Sequence, residues 1–279
     1  VSRDPEEIEL VARAVDGDRG ALEEVIRLLQ DPLYRLALRM VRRPSDAEDA
    51  TQEILVRVIT RLATWRGEAK LLTWAYRVGV NYLLNLRRGS SAEATSLSFD
   101  EFRDSLAEGL ADADYRGPEA QVLADEVRLS CTQAMLQCLE RHERVAFVLG
   151  EIFELTSADA AWIVDTTPAA FRKRLERART RIRGFMESTC GLVNRNAFCR
   201  CARRVPPAIA LGRIDPDRPA FVTHPVSASG RDVAQAAAQL ATLHNAAAVL
   251  RAHPDYAAPQ SRVDAIVALL QSGRFPLLE

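Results

Sequence analysis

Residues 46–88, DAEDATQEILVRVITRLATWRGEAKLLTWAYRVGVNYLLNLRR, change charge sign along their length. The first part carries Asp46, Glu48, Asp49 and Glu53, with no basic residue until Arg57. Beneath these acids Ala50, Ile54, Val58 and Leu62 recur at helical spacing, which predicts an amphipathic helix with its carboxylates outward. Ser45, followed three residues later by Glu48, reads as a capping box opening that helix. The second part carries Arg66, Lys70, Arg77, Arg87 and Arg88 among Trp65, Trp74, Tyr76 and Tyr82. An acidic helix face suits a protein partner, whereas cations interleaved with aromatics suit an unpaired nucleic-acid strand.

Working outward, the same helical period runs toward the N-terminus through Ile8, Val11, Ala12 and Val15, then Leu22, Val25, Ile26 and Leu29, then Tyr34, Leu38 and Val41. Strand signals are scarce. The expectation is an all-α chain whose first helical domain covers residues 1–90. Residues 91–120 hold Glu93, Asp100, Glu101, Asp104, Glu108, Asp112 and Asp114 against Arg103 and Arg116, and read as an acidic, solvated linker. A second helical block, residues 121–187, opens with Val122, Val127, Cys131, Met135 and Leu139 on one stripe. Val145, Phe147, Val148, Ile152 and Phe153 suggest a further helix.

The block ends in a short helix near 158–164, the break Asp165-Thr166-Thr167, and a long helix from Pro168 to about Met186. Thr156 with Asp159 caps the first, and Thr167 with Pro168 in the first turn opens the second. Short helix, tight turn and basic second helix make a helix-turn-helix. Phe171, Leu175, Ala178 and Ile182 recur at 4-3-4 spacing and hold the long helix to its domain. Arg172, Lys173, Arg174, Arg177, Arg179, Arg181 and Arg183 then fall on its outer faces. The formal net charge of the 279 residues is only −1, so any argument for nucleic acid has to be local, as here.

The last section, residues 188–279, opens with Cys190, Cys199 and Cys201 and is rich in proline. Two helices, about 231–251 and 261–271, joined by His253-Pro254-Asp255-Tyr256, form a hairpin that must bury its apolar face. Five cysteines are an odd, sparse set and not a secreted disulfide framework. The C-x8-C-x-C spacing leaves three readings open: a structural zinc site with His224 or another group as fourth ligand, a redox switch, or reduced buried thiols. His142, His224, His244 and His253 are scattered, and no P-loop or nucleophile constellation appears, so no catalytic residue is expected. No leader opens the chain, and the charge-free run 233–250 is too polar to span a membrane. A cytoplasmic location is the expectation.

Asp46-Ala47-Glu48-Asp49-Ala50-Thr51-Gln52-Glu53, Trp65-Arg66-Gly67-Glu68-Ala69, and Thr73-Trp74-Ala75-Tyr76-Arg77 with Asn81 resemble region 2 of bacterial RNA polymerase sigma factors. The nearest group is the extracytoplasmic-function (ECF) type of the sigma-70 family. Leu139, Arg144-Val145-Ala146-Phe147-Val148-Leu149 and Arg174-Leu175-Glu176-Arg177-Ala178-Arg179 resemble region 4. The likeness covers roughly residues 8–187. It implies two helical sigma domains joined by the acidic linker, with a mostly helical C-terminal extension.

By that resemblance Asp46, Asp49, Gln52 and Glu53 meet the β′ clamp helices of core RNA polymerase, and region 4 meets the β flap. The loop with Arg66, Glu68 and Lys70 captures bases of the melted −10 non-template strand, and Arg77, Asn81, Arg87 and Arg88 contact the strand and its phosphates. Trp74, between Leu71 and Val78, reads as core, and Trp65 as packing. Thr167, Ala169, Ala170, Arg172 and Lys173 meet the −35 duplex, with Arg174 and Arg177 nearer phosphates or internal partners. Two departures stand out: Asp165 where Gly is common in the turn, and Ala169-Ala170 where Gly-Thr is common. They leave few polar atoms for base readout. The acidic linker implies a path through polymerase as a mimic of a nucleic-acid strand. The extension implies a regulator acting in cis, and an anti-sigma protein is a further implied partner. The rival reading is a stand-alone helix-turn-helix regulator with a C-terminal sensor, which has no use for the acidic helix.

Overall fold

Asp4 accepts the Glu6 amide and opens α1 (Pro5–Val15); Asp18 accepts the Ala21 amide and opens α2 (Arg19–Met40). These belong to a computed structural model described for residues 4–86, 97–117, 119–227, 246–251 and 253–271. Its regular structure is helical, and the described residues carry two isolated β-bridges and no strand. Helix α3 (Pro44–Ile59), a 3-10 turn (Leu62–Thr64) and α4 (Leu71–Asn85) complete the first bundle. Leu29, Leu33, Tyr34, Leu36, Ile54, Leu55 and Leu71 are fully buried, and each such side chain contributes roughly 1.5–3 kcal/mol. Gly79 lets α4 approach closely: a Cβ there would stand 3.3 Å from Ile54 and Leu36 methyls.

Three expectations fail in this half. The α3 start is set by Pro44 at the first helical position with Arg43 as an N-cap that makes no side-chain bond, so Ser45 and Glu48 form no capping box. Proline fixes φ and needs no N–H partner, which moves the start ahead of Ser45. In α1 the stripe is rotated: Val11 and Ala14 are buried, whereas Ile8 and Val15 are exposed. The linker is more than a tether. Ser98 and Glu101 form a reciprocal capping box for α5 (Phe99–Ala107), which buries Phe102 and Leu106. Its rings pack on Phe185, Phe102 at 5.5 Å and Phe99 at 5.1 Å between centroids.

The second bundle comprises α6 (Ala120–Gln137), α7 (Arg141–Phe147) continued by a π turn (Val148–Ile152), α8 (Ser157–Ile163) and α9 (Pro168–Thr189). On α6 it is Leu123 that is buried, while Val122 is exposed. The extension adds α10 (Cys201–Ala210), α11 (Ala246–Arg251) and α12 (Gln260–Gln271). Most of the helix expected at 231–251 lies outside the described residues. The link between α11 and α12 is not a plain turn, since Tyr256 bridges Val226 with the Ala257 amide on the Pro225 carbonyl at 2.9 Å.

Arg144 joins the two bundles. It is 4% exposed, and its guanidinium donates to Met40 O at 2.6 Å, Leu136 O at 2.9 Å and Leu139 O at 3.1 Å. These are carbonyls left over at the C-termini of α2 and α6, where a cation is favoured. Burial lowers the Arg144 pKa to about 10. Arg141 donates to Leu84 O and Leu86 O at 2.8 and 2.6 Å, and Tyr76 stacks on Phe153.

Candidate functional site

The expected protein-binding residues lie along α3 on its solvent side: Asp49 and Glu53 are exposed, Asp46 and Gln52 half-buried. Glu53 faces Arg57 one turn on, at 3.7 Å. The face is not free. Arg262 of α12 sets Nε 3.2 Å from Glu48 Oε2 and Nη2 3.3 Å from Asp49 Oδ1. Val263 and Ile266, each 3% exposed, seat α12 against the first bundle.

The segment before α12 is pinned on α2. Asp31 accepts the Ser227 hydroxyl at 2.8 Å and the Ala258 amide at 3.0 Å, and Arg35 stands 3.7 Å from Asp255. His224 stacks on Tyr34 at 5.0 Å, with Nε2 3.2 Å from the Ala257 carbonyl. A carbonyl only accepts, so Nε2 carries the hydrogen. Burial lowers the His224 pKa, so the ring is held neutral. Behind it Glu126, 2% exposed, accepts the amides of Ala220, Phe221 and Val222 at 2.9–3.0 Å.

The loop after α3 is closed by its own residues. Trp65 Nε1 donates to Ala69 O at 3.0 Å, Gly67 takes φ +68°, and the Leu71 amide donates to Glu7 Oε2 at 3.0 Å. Only glycine enters that left-handed region without strain. Arg66, Glu68 and Lys70 are left exposed on the closed loop, and Trp65 is its clasp. Trp74 is half-buried against the core. Asn81 lies with Arg57, Arg61, Tyr82 and Asn85 along a groove of about 300 Å³, where the Arg57 guanidinium covers the Tyr82 ring at 4.9 Å. Arg87 and Arg88 lie outside the described residues.

Arg77 is engaged by the second bundle. Its guanidinium donates to Trp162 O at 2.9 Å and Asp165 Oδ1 at 3.0 Å, and covers the Trp162 ring at 4.8 Å. Asp165 sits at φ +52°. The residue that replaces glycine in the turn therefore supplies a carboxylate across the bundle contact.

The helix-turn-helix forms with its expected caps: Thr156 accepts the Asp159 amide at 3.1 Å and Thr167 that of Ala170 at 3.2 Å. Phe171, Leu175, Ala178 and Ile182 are all buried. Thr167, Ala169, Arg172 and Lys173 are exposed on the first turns of α9, and Ala170 and Arg174 are half-buried. Farther along, the basic residues stay on the outer faces, as expected, but three of them pair with carboxylates of the bundle. Arg177 and Arg181 meet Glu143 at 3.6 and 2.7 Å, and Arg179 meets Glu151 at 2.5 Å. These two carboxylates are nine-tenths or more out of solvent and require cations, which the arginines supply while their own side chains stay 37–55% exposed. Arg251 of α11 meets the same Glu151 at 3.1 Å.

Of the cysteines expected to cluster, Cys190 and Cys199 pair across a parallel bridge, with the Gly191 amide on Cys199 O at 3.0 Å and the Cys199 amide on Thr189 O at 3.2 Å. His224 is committed to Tyr34 and is not their fourth member. Among the described residues, no three His, Cys, Asp or Glu side chains are placed to hold a metal ion; Cys131 of α6 packs against the same core as Cys190 and Cys199. Burial raises all four thiol pKa values, Cys199 to about 12 and Cys201 to about 11. Thiols held protonated are poor nucleophiles, which disfavours a redox switch. Sequence reasoning missed Arg262 and the Asp165–Arg77 pair, and neither had a signal.

Two family models match: Sigma-70 region 2 over residues 25–93, and Sigma-70, region 4 over residues 129–182. The RNA polymerase sigma-H factor of Pseudomonas aeruginosa is 28% identical over 179 residues, covering 62% of this chain and 90% of that protein. The ECF RNA polymerase sigma-E factor of Escherichia coli is 29% identical over the same coverage. A solved structure of CnrH in complex with the cytosolic domain of CnrY superposes with a TM-score of 0.47 at 18% identity, over 65% of this chain and 97% of that one.

Proposed function

Because the chain belongs to the sigma-70 family, in its ECF group, we propose that it binds core RNA polymerase through α3, recognises −35 and −10 promoter elements and promotes their melting. It acts as a binding subunit, not an enzyme. Asp46, Asp49, Gln52 and Glu53 are the polymerase contacts. Arg66, Glu68, Lys70, Arg77, Asn81, Arg87 and Arg88 hold the melted strand. Thr167, Ala169, Ala170, Arg172, Lys173, Arg174 and Arg177 serve the −35 duplex, the two alanines offering methyl surface and the cations phosphate contact. The observation that carries the reading is one chain with an outward acidic helix, an exposed basic loop and a capped helix-turn-helix. Neither a stand-alone regulator nor a sensor domain accounts for both family matches.

The extension works in cis by holding the factor closed. Arg262 of the extension occupies Glu48 and Asp49, while Asp165 of the helix-turn-helix separately occupies Arg77, so a proposed polymerase contact and a proposed strand contact are both engaged inside the chain. Polymerase and promoter then have to displace internal partners, and any ligand that favours the open arrangement activates by its differential affinity. No described helix is long and apolar enough to cross a membrane, and the chain works where core polymerase is.

Reconstitution of the full chain with bacterial core polymerase, followed by transcription from a genomic promoter library, tests the reading. The expected result is initiation at a restricted promoter set, abolished by Asp49→Lys with Glu53→Lys. Absence of core binding by both the full chain and a chain ending at residue 258 overturns it.

A further inference from the structure

The acidic linker is held by the extension. Arg204 of α10 is 2% exposed, and its Nη1 donates to Leu106 O at 3.2 Å and to Glu108 O at 2.9 Å. Both carbonyls lie at the C-terminal end of α5, where helical oxygens lack an amide of their own and a cation is favoured. The N-terminus of α5 is capped locally by Ser98 and Glu101, whereas its C-terminus is capped from 98 and 96 positions away. Beyond α5 the chain runs beside α10. The Ala111 amide donates to Arg203 O at 3.3 Å and the Tyr115 amide to Ala202 O at 3.2 Å. Arg203 Nε stands 3.2 Å from Asp114 Oδ1, and Arg213 Nη1 donates to Ser105 Oγ at 3.0 Å. Tyr115 lies half-buried on a small core of α6 and α10 that includes Leu123, Val205 and Ala208.

Two properties make this contact separable. Past α5 it rests on hydrogen bonds and partial packing, for no residue from 107 to 117 is buried. Segments held in this way open locally at low cost. In addition, α10 engages mainly the backbone of the segment, while Asp104, Glu108 and Asp112 keep their side chains exposed. A basic partner therefore meets the linker's charge while α10 still holds its main chain.

We propose that the face of α10 bearing Arg203 and Arg204 is the docking surface of the linker, residues 99–115, and that core polymerase takes up the linker only after it leaves α10. The proposal rests on the sigma-factor reading and extends it. Polymerase competes for this segment through its carboxylates, and α10 retains it through its backbone. The extension thus withholds two parts of the factor independently: α12 covers α3, and α10 keeps the linker. Release of α12 alone leaves the linker in place.

A reversible lock tests this in the full chain. A Cβ at Gly109 would stand 3.6 Å from Pro207 Cβ, which suits a disulfide in the double variant Gly109→Cys with Pro207→Cys. Core binding and promoter initiation are measured on the oxidised and then the reduced protein, with Gly109→Cys alone as the control for the native cysteines. The oxidised form is expected to bind core on the order of tenfold or more weakly, with recovery on reduction of the same sample. Equal binding and initiation by the two forms overturns the proposal, as does a pair that forms no disulfide under oxidant. Core binding absent from both forms and from the unaltered chain counts against the sigma-factor reading, and hydrogen exchange then judges the docking surface by itself. Arg204→Met is expected to lower protection over residues 102–115 by about 10- to 100-fold, the worth of a charge-assisted hydrogen bond, with α2 and α3 unchanged. Unchanged protection overturns the docking. If Arg204→Met fails to fold, Arg203→Glu with Arg213→Glu, whose side chains reach solvent, is read in the same way.

Discussion

Arg262→Glu is the most direct perturbation of the closed arrangement. The Arg262 side chain is 41% exposed, and its guanidinium lies between the side chains of Glu48, 20% exposed, and Asp49, 68% exposed. The pair with Asp49 is an exposed ion pair worth about 0.5 kcal/mol, and the better-shielded pair with Glu48 about 1 kcal/mol. Truncation to Ala removes those terms; reversal to Glu sets a third carboxylate beside two others, adding roughly 0.5–1 kcal/mol of repulsion. The closed state thus loses about 2 kcal/mol, close to 30-fold in its population ratio. Val263 and Ile266 still hold α12 to the bundle, so the shift loosens the extension without detaching it.

Fluorescence anisotropy of the labelled full chain against core polymerase reads this shift. Where the closed form dominates, apparent affinity is the intrinsic affinity scaled by the competent fraction. Arg262→Glu is therefore expected to tighten core binding by up to about 30-fold, and Arg262→Ala by up to about 13-fold. Asp49→Lys separates the two roles of α3: it repels Arg262, yet it is expected to weaken core binding because the same carboxylate is the proposed polymerase contact. Unchanged or weakened core binding in Arg262→Glu, with an unaltered unfolding midpoint, refutes the argument that α12 competes with polymerase for α3.

Three further outcomes follow from the packing. Arg144→Met leaves the terminal carbonyls of α2 and α6 without their buried donor and is expected to cost about 3–5 kcal/mol in urea denaturation; a loss below 1 kcal/mol contradicts the joint assigned to Arg144. Phe102→Ala removes a 6%-exposed ring from Phe185 and should cost about 3 kcal/mol of local docking. Hydrogen exchange should then rise over residues 98–107 while α2 and α3 keep their protection. His224 has a pKa below the ordinary 6.5, with Tyr34, Tyr256 and Glu48 facing it. The neutral ring is the stable one, so its contribution is present above about pH 6.5 and is lost as pH falls through the folded value. Amide protection near residues 220–227, corrected for the intrinsic pH dependence of exchange, should fall between pH 7 and pH 5, and His224→Phe, which keeps the stacking surface, should abolish that dependence.

The sequence carried those features whose cause is local. Thr156 and Thr167 announce their helices because a cap needs only a hydroxyl and an amide three residues on, and the 4-3-4 row from Phe171 to Ile182 needs only the helical period. Local rules also misled where two of them competed: Ser45 had the chemistry of a cap, and Pro44 moved the helix start past it. The acidic run 98–114 read as solvated because its carboxylates outnumber its rings, yet Phe99, Phe102 and Leu106 sit at helical spacing, and the two rings found Phe185. What no local rule could supply is a partner chosen across the fold. Arg262 meets Glu48 across 214 positions and Arg77 meets Asp165 across 88. Charge pattern shows that a face will be matched, but not by whom. A carboxylate row fit for a protein partner is equally fit for an arginine of its own chain, and on that equivalence rests the proposal that one surface serves both a closed and a polymerase-bound state.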